Sequence, residues 1–168
     1  MVRRFFIAYG IFLGALAACT RVDEPQKGGS PSQASQAEGK PPKKLGWTRA
    51  EKGDLATVVR AHAKKAAAEG RTPLVYVGAT WCEPCQSFHH AAERGELDAQ
   101  FSDVAILELD ADVDAARLGA AGYASTYIPL FVVPGQDGRG TDRRIAGSVK
   151  GDGAVADLSP RLMKLLGR

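Results

Sequence analysis

The sequence predicts an α/β domain in which helices flank a central mixed β-sheet. Short apolar runs alternate with amphipathic helical stretches, the last two strands form a hairpin, and a helical stretch closes the chain. About 120 residues, from 47 to 168, contain this pattern, which is enough for one domain with its own core. A pair of cysteines directly follows the first apolar run, at the end of a strand where open α/β sheets place their sites.

The first half of this domain is predicted to fold as helix, strand and helix. Asp54 is a suitable N-cap for a helix over 54–69, which Gly70 ends. The nearly continuous apolar run 74–79 is typical of a central strand that is buried on both faces. A second helix is expected over 85–94.

The second half is predicted to supply the rest of the sheet and two more helices. A glycine-rich turn from Gly135 separates the last two strands and predicts the hairpin. Ser159 and Pro160 suit the N-cap and the first position of a closing helix, and a helical turn over 153–158 before the proline is the alternative. The other elements are expected as a strand over 104–109, a short helix over 112–121, a strand over 130–133 and a strand over 143–146.

The stretch TWCEPCQSFHH, residues 80–90, places two cysteines three positions apart at the start of a helix. Such a pair fits a redox dithiol, two metal ligands or a structural disulfide. The loop is too short for much structural stabilisation, since the effect grows with loop length. Pro84 suits the first helical turn, and the free N–H groups there favour a thiolate. Cys82 is therefore expected to be the exposed, low-pKa attacking thiol, and Cys85 the more buried one.

The N-terminal sequence predicts export from the cytoplasm. Arg3 and Arg4 precede an apolar run that is too short for a membrane span, and 1–18 has the character of a signal peptide. The end of this run, LAAC, resembles the lipobox of bacterial lipoproteins, which implies cleavage before Cys19 and its acylation. The alternatives are an ordinary secretory signal and an uncleaved anchor. Thr20, where an aspartate would favour the inner membrane, points to the outer membrane.

The segment 19–46 is predicted to be a flexible tether between the lipidated cysteine and the domain. It is rich in Pro, Gly, Ser, Gln and Lys and has almost nothing to bury. No basic stripe interleaved with aromatic residues is present in the chain, so nucleic acid is not an expected partner.

The domain resembles the thioredoxin family. PLVYVGATWCEPC, residues 73–85, resembles the family's central strand and active-site turn, and Tyr127-Ile128-Pro129 resembles its cis-proline loop. Gly147 also matches a family glycine. The likeness is greatest to thioredoxin-like domains of periplasmic thiol-disulfide reductases, and the CEPC tetrapeptide also occurs in membrane-tethered reductases of cytochrome c maturation.

The resemblance implies a thiol-disulfide oxidoreductase that needs no cofactor. Cys82 would attack a protein disulfide, and Cys85 would resolve the mixed disulfide. A cis Pro129, with Ile128 before it, would position the substrate backbone. Trp81 and Tyr127 would border the substrate groove, whereas Phe88 could border the groove or belong to the core. A membrane-bound electron donor would re-reduce the pair.

Two positions depart from the family pattern. Tyr76 and Ile106 stand where the family has a buried aspartate and its lysine partner, so the usual proton acceptor for the resolving cysteine is missing. Glu108, on the same strand face as Ile106, and Glu83, between the cysteines, are the candidates to replace it; a solvated strand end is the alternative for Glu108. The charge of Glu83 should also raise the pKa of Cys82, which favours a reductant.

Two other functions stay open at this point. A disulfide oxidase or isomerase would use the same fold and cysteines, because fold does not fix the direction of exchange. A periplasmic copper or zinc carrier would use Cys82, Cys85 and a nearby histidine such as His89. No second CxxC accompanies the pair, however, and no metal site is predicted.

Overall fold

The computed structural model describes residues 43–168. The predicted signal peptide, Cys19 and the tether up to residue 42 lie outside the described residues. Among the residues described, no helix is both long and apolar enough to cross a membrane.

A five-stranded mixed sheet with helices on both faces forms the domain, and the predicted fold class is confirmed. The strands lie in the order β1-β3-β2-β4-β5, with β1, β3 and β2 parallel and β4 and β5 antiparallel to their neighbours. The elements are β1 (Gly46–Arg49), α1 (Leu55–Ala68), β2 (Thr72–Gly78), α2 (Glu83–Glu93), α3 (Asp98–Phe101), β3 (Val104–Asp110), α4 (Ala115–Leu118), β4 (Leu130–Pro134), β5 (Gly140–Ala146) and α5 (Gly153–Leu165).

The central strands β2 and β3 are buried on both faces of the sheet. Alternate residues of each strand point to opposite sides and enter two different cores. One core includes Tyr76, Phe88, Ile106, Phe131 and Leu158, with residues from α2 and α5. The other includes residues of α1 and the opposite strand faces, namely Leu55, Val59, Val75, Leu107 and Leu130. These two layers explain why β2 and β3 are almost continuously apolar.

The closing helix starts earlier than predicted, so the assignment of Ser159 and Pro160 to its first positions is wrong. α5 begins at Gly153 and continues through Pro160. Ala154, Leu158 and Leu162 follow one another at four-residue spacing and are buried. Burying this face outweighs the cost of about 3 kcal/mol that a proline imposes inside a helix.

The predicted helix over 112–121 is reduced to the single turn α4. Asp110 Oδ1 accepts hydrogen bonds from the backbone N–H groups of Asp112 and Val113, at 2.9 and 3.0 Å. Such local side-chain bonds compete with helical ones. The segment after β3 is therefore a tight turn next to the functional site.

Two short elements, β1 and α3, were not predicted. β1 has only one large apolar residue, Trp47, and it pairs with β3 along its whole length. The residue before β1 also contacts the domain, since Leu45 N donates to Asp98 Oδ1 at 2.8 Å. The strand thus begins at Gly46, one residue before the predicted domain start.

Candidate functional site

The two cysteines lie at the junction of β2 and α2. Cys82 is the N-cap of α2, with extended φ and ψ of −85° and 104°, and Pro84 lies in the first turn. Gln86 N donates to Cys82 O at 3.0 Å, which starts the helical hydrogen bonding. Cys82 and Cys85 are joined by a disulfide, with their Cα atoms 5.2 Å apart. The two sulfurs are therefore within disulfide reach in the folded domain.

The prediction that Cys82 is exposed is wrong for the disulfide form. Cys82 is 4% exposed and Cys85 is 2% exposed. The bond to Cys85 holds the Cys82 side chain within the cluster that contains Phe88 and Tyr76.

The cis-proline loop lies at the same end of the sheet as the cysteines. The Ile128–Pro129 peptide bond is cis, as the resemblance implies. Val77 of β2 pairs with Leu130 of β4, so Pro129 lies beside the end of β2 from which the chain reaches Cys82. Pro129 O accepts a hydrogen bond from Gly147 N at 2.9 Å. Pairing of β2, β4 and β5 thus brings the two loops together.

Gly147 allows a close approach of the loops. Its φ is +67°, and a Cβ at this position would lie 3.4 Å from Tyr127 Cβ. A residue with a side chain here would be strained in its backbone, although its Cβ would make only ordinary van der Waals contact with Tyr127. The sequence match to a family glycine therefore has a local physical reason.

Four large apolar side chains are exposed in the described part of the chain, and all belong to loops around the disulfide. They are Trp81 (67% exposed), Val113 (76%), Tyr127 (70%) and Val149 (52%). Trp81 Nε1 donates to Asp112 Oδ2 at 2.7 Å, which ties the turn carrying Val113 to the cysteine loop. Val149 follows Gly147, which contacts the Tyr127 loop. We call these four side chains the apolar rim.

Phe88 belongs to the core. It is 1% exposed, and its ring centroid lies 5.0 Å from that of Phe131 and 6.3 Å from that of Trp47. Of the two roles predicted for Phe88, bordering the groove or belonging to the core, the second is the one observed.

Glu108 lies on the other side of Cys85, in a polar network. It accepts a hydrogen bond from Trp47 Nε1 at 3.0 Å, and His89 Nε2 lies 3.9 Å from its second carboxylate oxygen. Tyr76 is its direct neighbour on β2. The Glu108 side chain is 24% exposed. It is therefore a partly buried group with specific partners, unlike a solvated strand end.

A cavity of about 420 Å³ joins this network to the disulfide. Its walls include Cys85, Tyr76, His89, Glu108 and Asp110. Burial, together with the charges of Glu108 and Asp110, raises the pKa of Tyr76 far above its usual value. Tyr76 is therefore a neutral phenol at physiological pH and cannot replace the family aspartate as a charged group.

The two histidines after Cys85 have separate surroundings. His89 Nδ1 lies 3.3 Å from Glu93 Oε1, and its ring meets Trp47 edge-on at 4.9 Å, whereas His90 is exposed. Within residues 43–168 no group of three or more His, Cys, Asp or Glu side chains is placed to hold a metal ion. No arrangement there supports the metal-carrier alternative.

Several residues of the site carried no usable signal in the sequence. Trp47 is the only large apolar residue of a four-residue strand, and Asp112, Val113 and Val149 lie in turns. Their importance arises only from contacts with residues distant in sequence. Glu83 is exposed at the start of α2, beside the cysteines as its position predicts.

No protein-family model and no curated relative matches the chain. Among solved structures, it is similar to thioredoxin from Trichomonas vaginalis, with 21% identity over 74% of this chain and 97% of that one and a TM-score of 0.49. Thioredoxin f from spinach chloroplast has 17% identity over 74% and 95% of the two chains, with a TM-score of 0.47. A mutant thioredoxin from Halobacterium salinarum has 22% identity over 71% and 91%, with a TM-score of 0.42. At these identities the likeness concerns the fold alone.

Proposed function

We propose that this protein is a thiol-disulfide oxidoreductase that reduces protein disulfides outside the cytoplasm. The observation that carries the proposal is the Cys82–Cys85 disulfide at the N-terminus of α2, beside the cis Ile128–Pro129 bond. A helix start favours a thiolate, and the two sulfurs are already within bonding reach. This geometry suits a dithiol that is oxidised and reduced in each cycle.

The reaction takes place in two exchanges. The Cys82 thiolate attacks one sulfur of a substrate disulfide, the substrate S–S bond breaks, and the first substrate thiolate leaves. The Cys85 thiolate then attacks Cys82 Sγ and releases the second substrate thiolate. The substrate gains two electrons and the protein becomes a disulfide. A membrane-bound dithiol donor then restores the reduced pair by the same exchange.

The apolar rim suits protein substrates. Exposed aromatic and aliphatic side chains around a buried reactive group form a surface that a partner can cover. Ile128 N–H donates no hydrogen bond to any residue between 43 and 168. The backbone before Pro129 is thus free to pair with an extended substrate segment.

The proposed direction is reduction, and Glu83 supports it. An exposed carboxylate next to Cys82 disfavours the Cys82 thiolate, which makes the dithiol easier to oxidise. For the location, the lipobox-like LAAC sequence supports attachment of Cys19 to lipid, and Thr20 favours the outer membrane. The domain would then act in the periplasm at the end of its tether.

The test is the equilibrium redox potential of Cys82–Cys85 on metal-free protein, measured in dithiothreitol and glutathione buffers. We expect a value near the reducing end of the thioredoxin-fold range, about −270 mV. Glu83→Gln should raise the potential by no more than about 20 mV, since adjacent charges in water interact by about 1 kcal/mol and 30 mV corresponds to about 1.4 kcal/mol. Glu93→Gln, which removes an exposed carboxylate at the far end of α2, is the control and should change nothing.

Other outcomes would redirect the assignment. A potential near about −120 mV would make this protein a disulfide-forming or isomerising enzyme instead. If the pair failed to form a disulfide, the proposed oxidoreductase function would be wrong, and a copper or zinc carrier would become the favoured function.

A further inference from the structure

The cavity behind Cys85 is separate from the apolar rim. None of the four rim side chains lines it. Its walls include Cys85 on one side and Glu108 on the other, and the exposed residues Thr80 and His90 border its mouth. A cavity of about 420 Å³ with polar walls has room for several water molecules. Cys85 therefore borders a compartment that has room for water and that none of the rim side chains lines.

Glu108 is held at this cavity from three elements. Trp47 of β1 donates to one carboxylate oxygen, and His89 of α2 lies near the other. In the sheet its direct neighbours are Arg49 on β1 and Tyr76 on β2. The charged or titratable groups around it are Arg49, Tyr76, His89, His90 and Glu93 from these elements and Asp110 from its own strand.

The other candidate acceptors are less suited to take a proton from Cys85. Tyr76 is a neutral phenol, as its raised pKa indicates. Asp110 uses one carboxylate oxygen to bind the N–H groups of Asp112 and Val113. Glu83 is exposed and does not line the cavity. Trp47 fixes Glu108 from another strand, and the second Glu108 carboxylate oxygen is not engaged by any N–H of residues 43–168 within normal hydrogen-bond distance. Asp110 also has a second oxygen without such a donor, but its carboxylate is bound to the N–H groups of its own turn.

We infer that Glu108 accepts the proton of the Cys85 thiol through this cavity, which serves as the proton exit of the site. The inference rests on the proposed function. In the mixed disulfide, the Cys85 S–H bond breaks and its proton passes through cavity water to the Glu108 carboxylate. The resulting thiolate attacks Cys82 Sγ, the bond between Cys82 and the substrate breaks, and the substrate leaves as a thiolate. Glu108 then releases its proton to solvent through the cavity mouth.

In this arrangement the substrate binds at the apolar rim, and the Cys85 proton leaves through the cavity. The substrate covers the rim during the mixed-disulfide stage, when Cys85 must lose its proton. An exit whose walls include none of the rim side chains lets that step proceed with the substrate in place. Tyr127 and the other side chains of the apolar rim are not needed for it.

The experiment is a single-turnover reaction of the reduced full-length protein with a symmetrical aromatic disulfide whose released thiolate is coloured. The first equivalent of thiolate reports attack by Cys82, and the second reports attack by Cys85 on the mixed disulfide. Glu108→Gln should slow the second step on the order of 10²-fold at neutral pH, the lower end of the effect of a positioned proton acceptor, and leave the first step unchanged. Glutamine can still accept the Trp47 hydrogen bond, so the fold should be kept.

Glu93→Gln is the matched control, because Glu93 is the other carboxylate beside His89 but does not line the cavity. It should leave both steps unchanged. Equal rates in Glu108→Gln and wild type, or equal slowing of both steps, would overturn the inference and leave the proposed function intact. Absence of the second equivalent from the wild type would instead reject the proposed function.

The pH profile of the wild type provides a test that needs no variant. The second step should reach a plateau well below pH 8.5, the ordinary pKa of a thiol, because a positioned acceptor removes the Cys85 proton within the step itself. A second step that rises steadily with pH up to the ordinary thiol range would contradict the role of Glu108.

Discussion

Single residues decide the chemistry of this site. Cys82 and Cys85 supply the proposed redox pair, and the order of action that we propose rests on their places on α2. Cys82 is the N-cap and receives the full effect of the free N–H groups, whereas Cys85 lies one turn further on. Tyr76 is a neutral phenol, and its direct neighbour on the next strand is the partly buried carboxylate of Glu108.

The order of attack can be tested with cysteine variants. Cys85→Ser should accumulate mixed disulfides with disulfide-bonded proteins through Cys82, because no thiol remains to resolve them. Non-reducing electrophoresis and mass spectrometry would detect the adducts. Cys82→Ser is the matched control and should trap none. The reverse pattern would assign the attack to Cys85.

At the scale of elements, the site is built where several chain segments meet. The β2–α2 junction carries the cysteines, and the β4–β5 pair holds the cis-proline loop against Gly147. α5 holds the end of β5, because Arg161 donates to Gly147 O and Ala146 O at 2.8 and 3.0 Å. Asp157 in turn binds Arg161 and Ser148, at 2.7 and 2.9 Å.

The hydrogen bonds from Ser148 and Arg161 to Asp157 predict that the stability of the domain depends on pH. Hydrogen bonds from Ser148 and Arg161 hold the pKa of Asp157 below its usual value. The contribution of Asp157 to the free energy of unfolding is therefore fully present above the ordinary aspartate pKa of about 3.9 and is lost as pH falls through the lowered folded value. Asp157→Asn should be less stable than wild type near neutral pH, and the difference should shrink in acid.

Urea unfolding at a series of pH values measures this difference. Asp152→Asn is the matched control, since Asp152 precedes the same helix and makes no capping hydrogen bond with its side chain. A gap between Asp157→Asn and wild type that stays constant down to the most acid pH would contradict the assignment.

At the scale of the whole molecule, the proposed lipid anchor determines where the dithiol acts. Cys19→Ser should move the protein from the membrane fraction to the soluble periplasmic fraction and abolish incorporation of labelled palmitate. Thr20→Ser keeps the lipobox-like sequence and should stay in the membrane. Reduction of a soluble disulfide substrate by the purified protein should be the same in all three forms, because residues 43–168 contain the whole proposed site. Membrane retention of Cys19→Ser would favour an uncleaved anchor.

The sequence by itself determined the central elements and the reactive pair. β2, β3 and α1 follow from local periodicity, and the turn before α2 follows from the positions of Cys82, Pro84 and Cys85. The cis-proline loop was predicted by its resemblance to a known family. Each of these signals lies within a short stretch of chain, where local preferences decide the conformation.

Only the tertiary structure decided which distant residues meet. Trp47 and Glu108 are 61 positions apart, and pairing of β1 with β3 brings them together. The cavity behind Cys85 and the apolar rim arise in the same way, from packing of elements that are separate in sequence. Burial also overrode local signals, since the apolar face of α5 carries the helix through Pro160, and the disulfide holds Cys82 in the core. Long-range pairing and burial are properties of the packed chain, so no single segment encodes them.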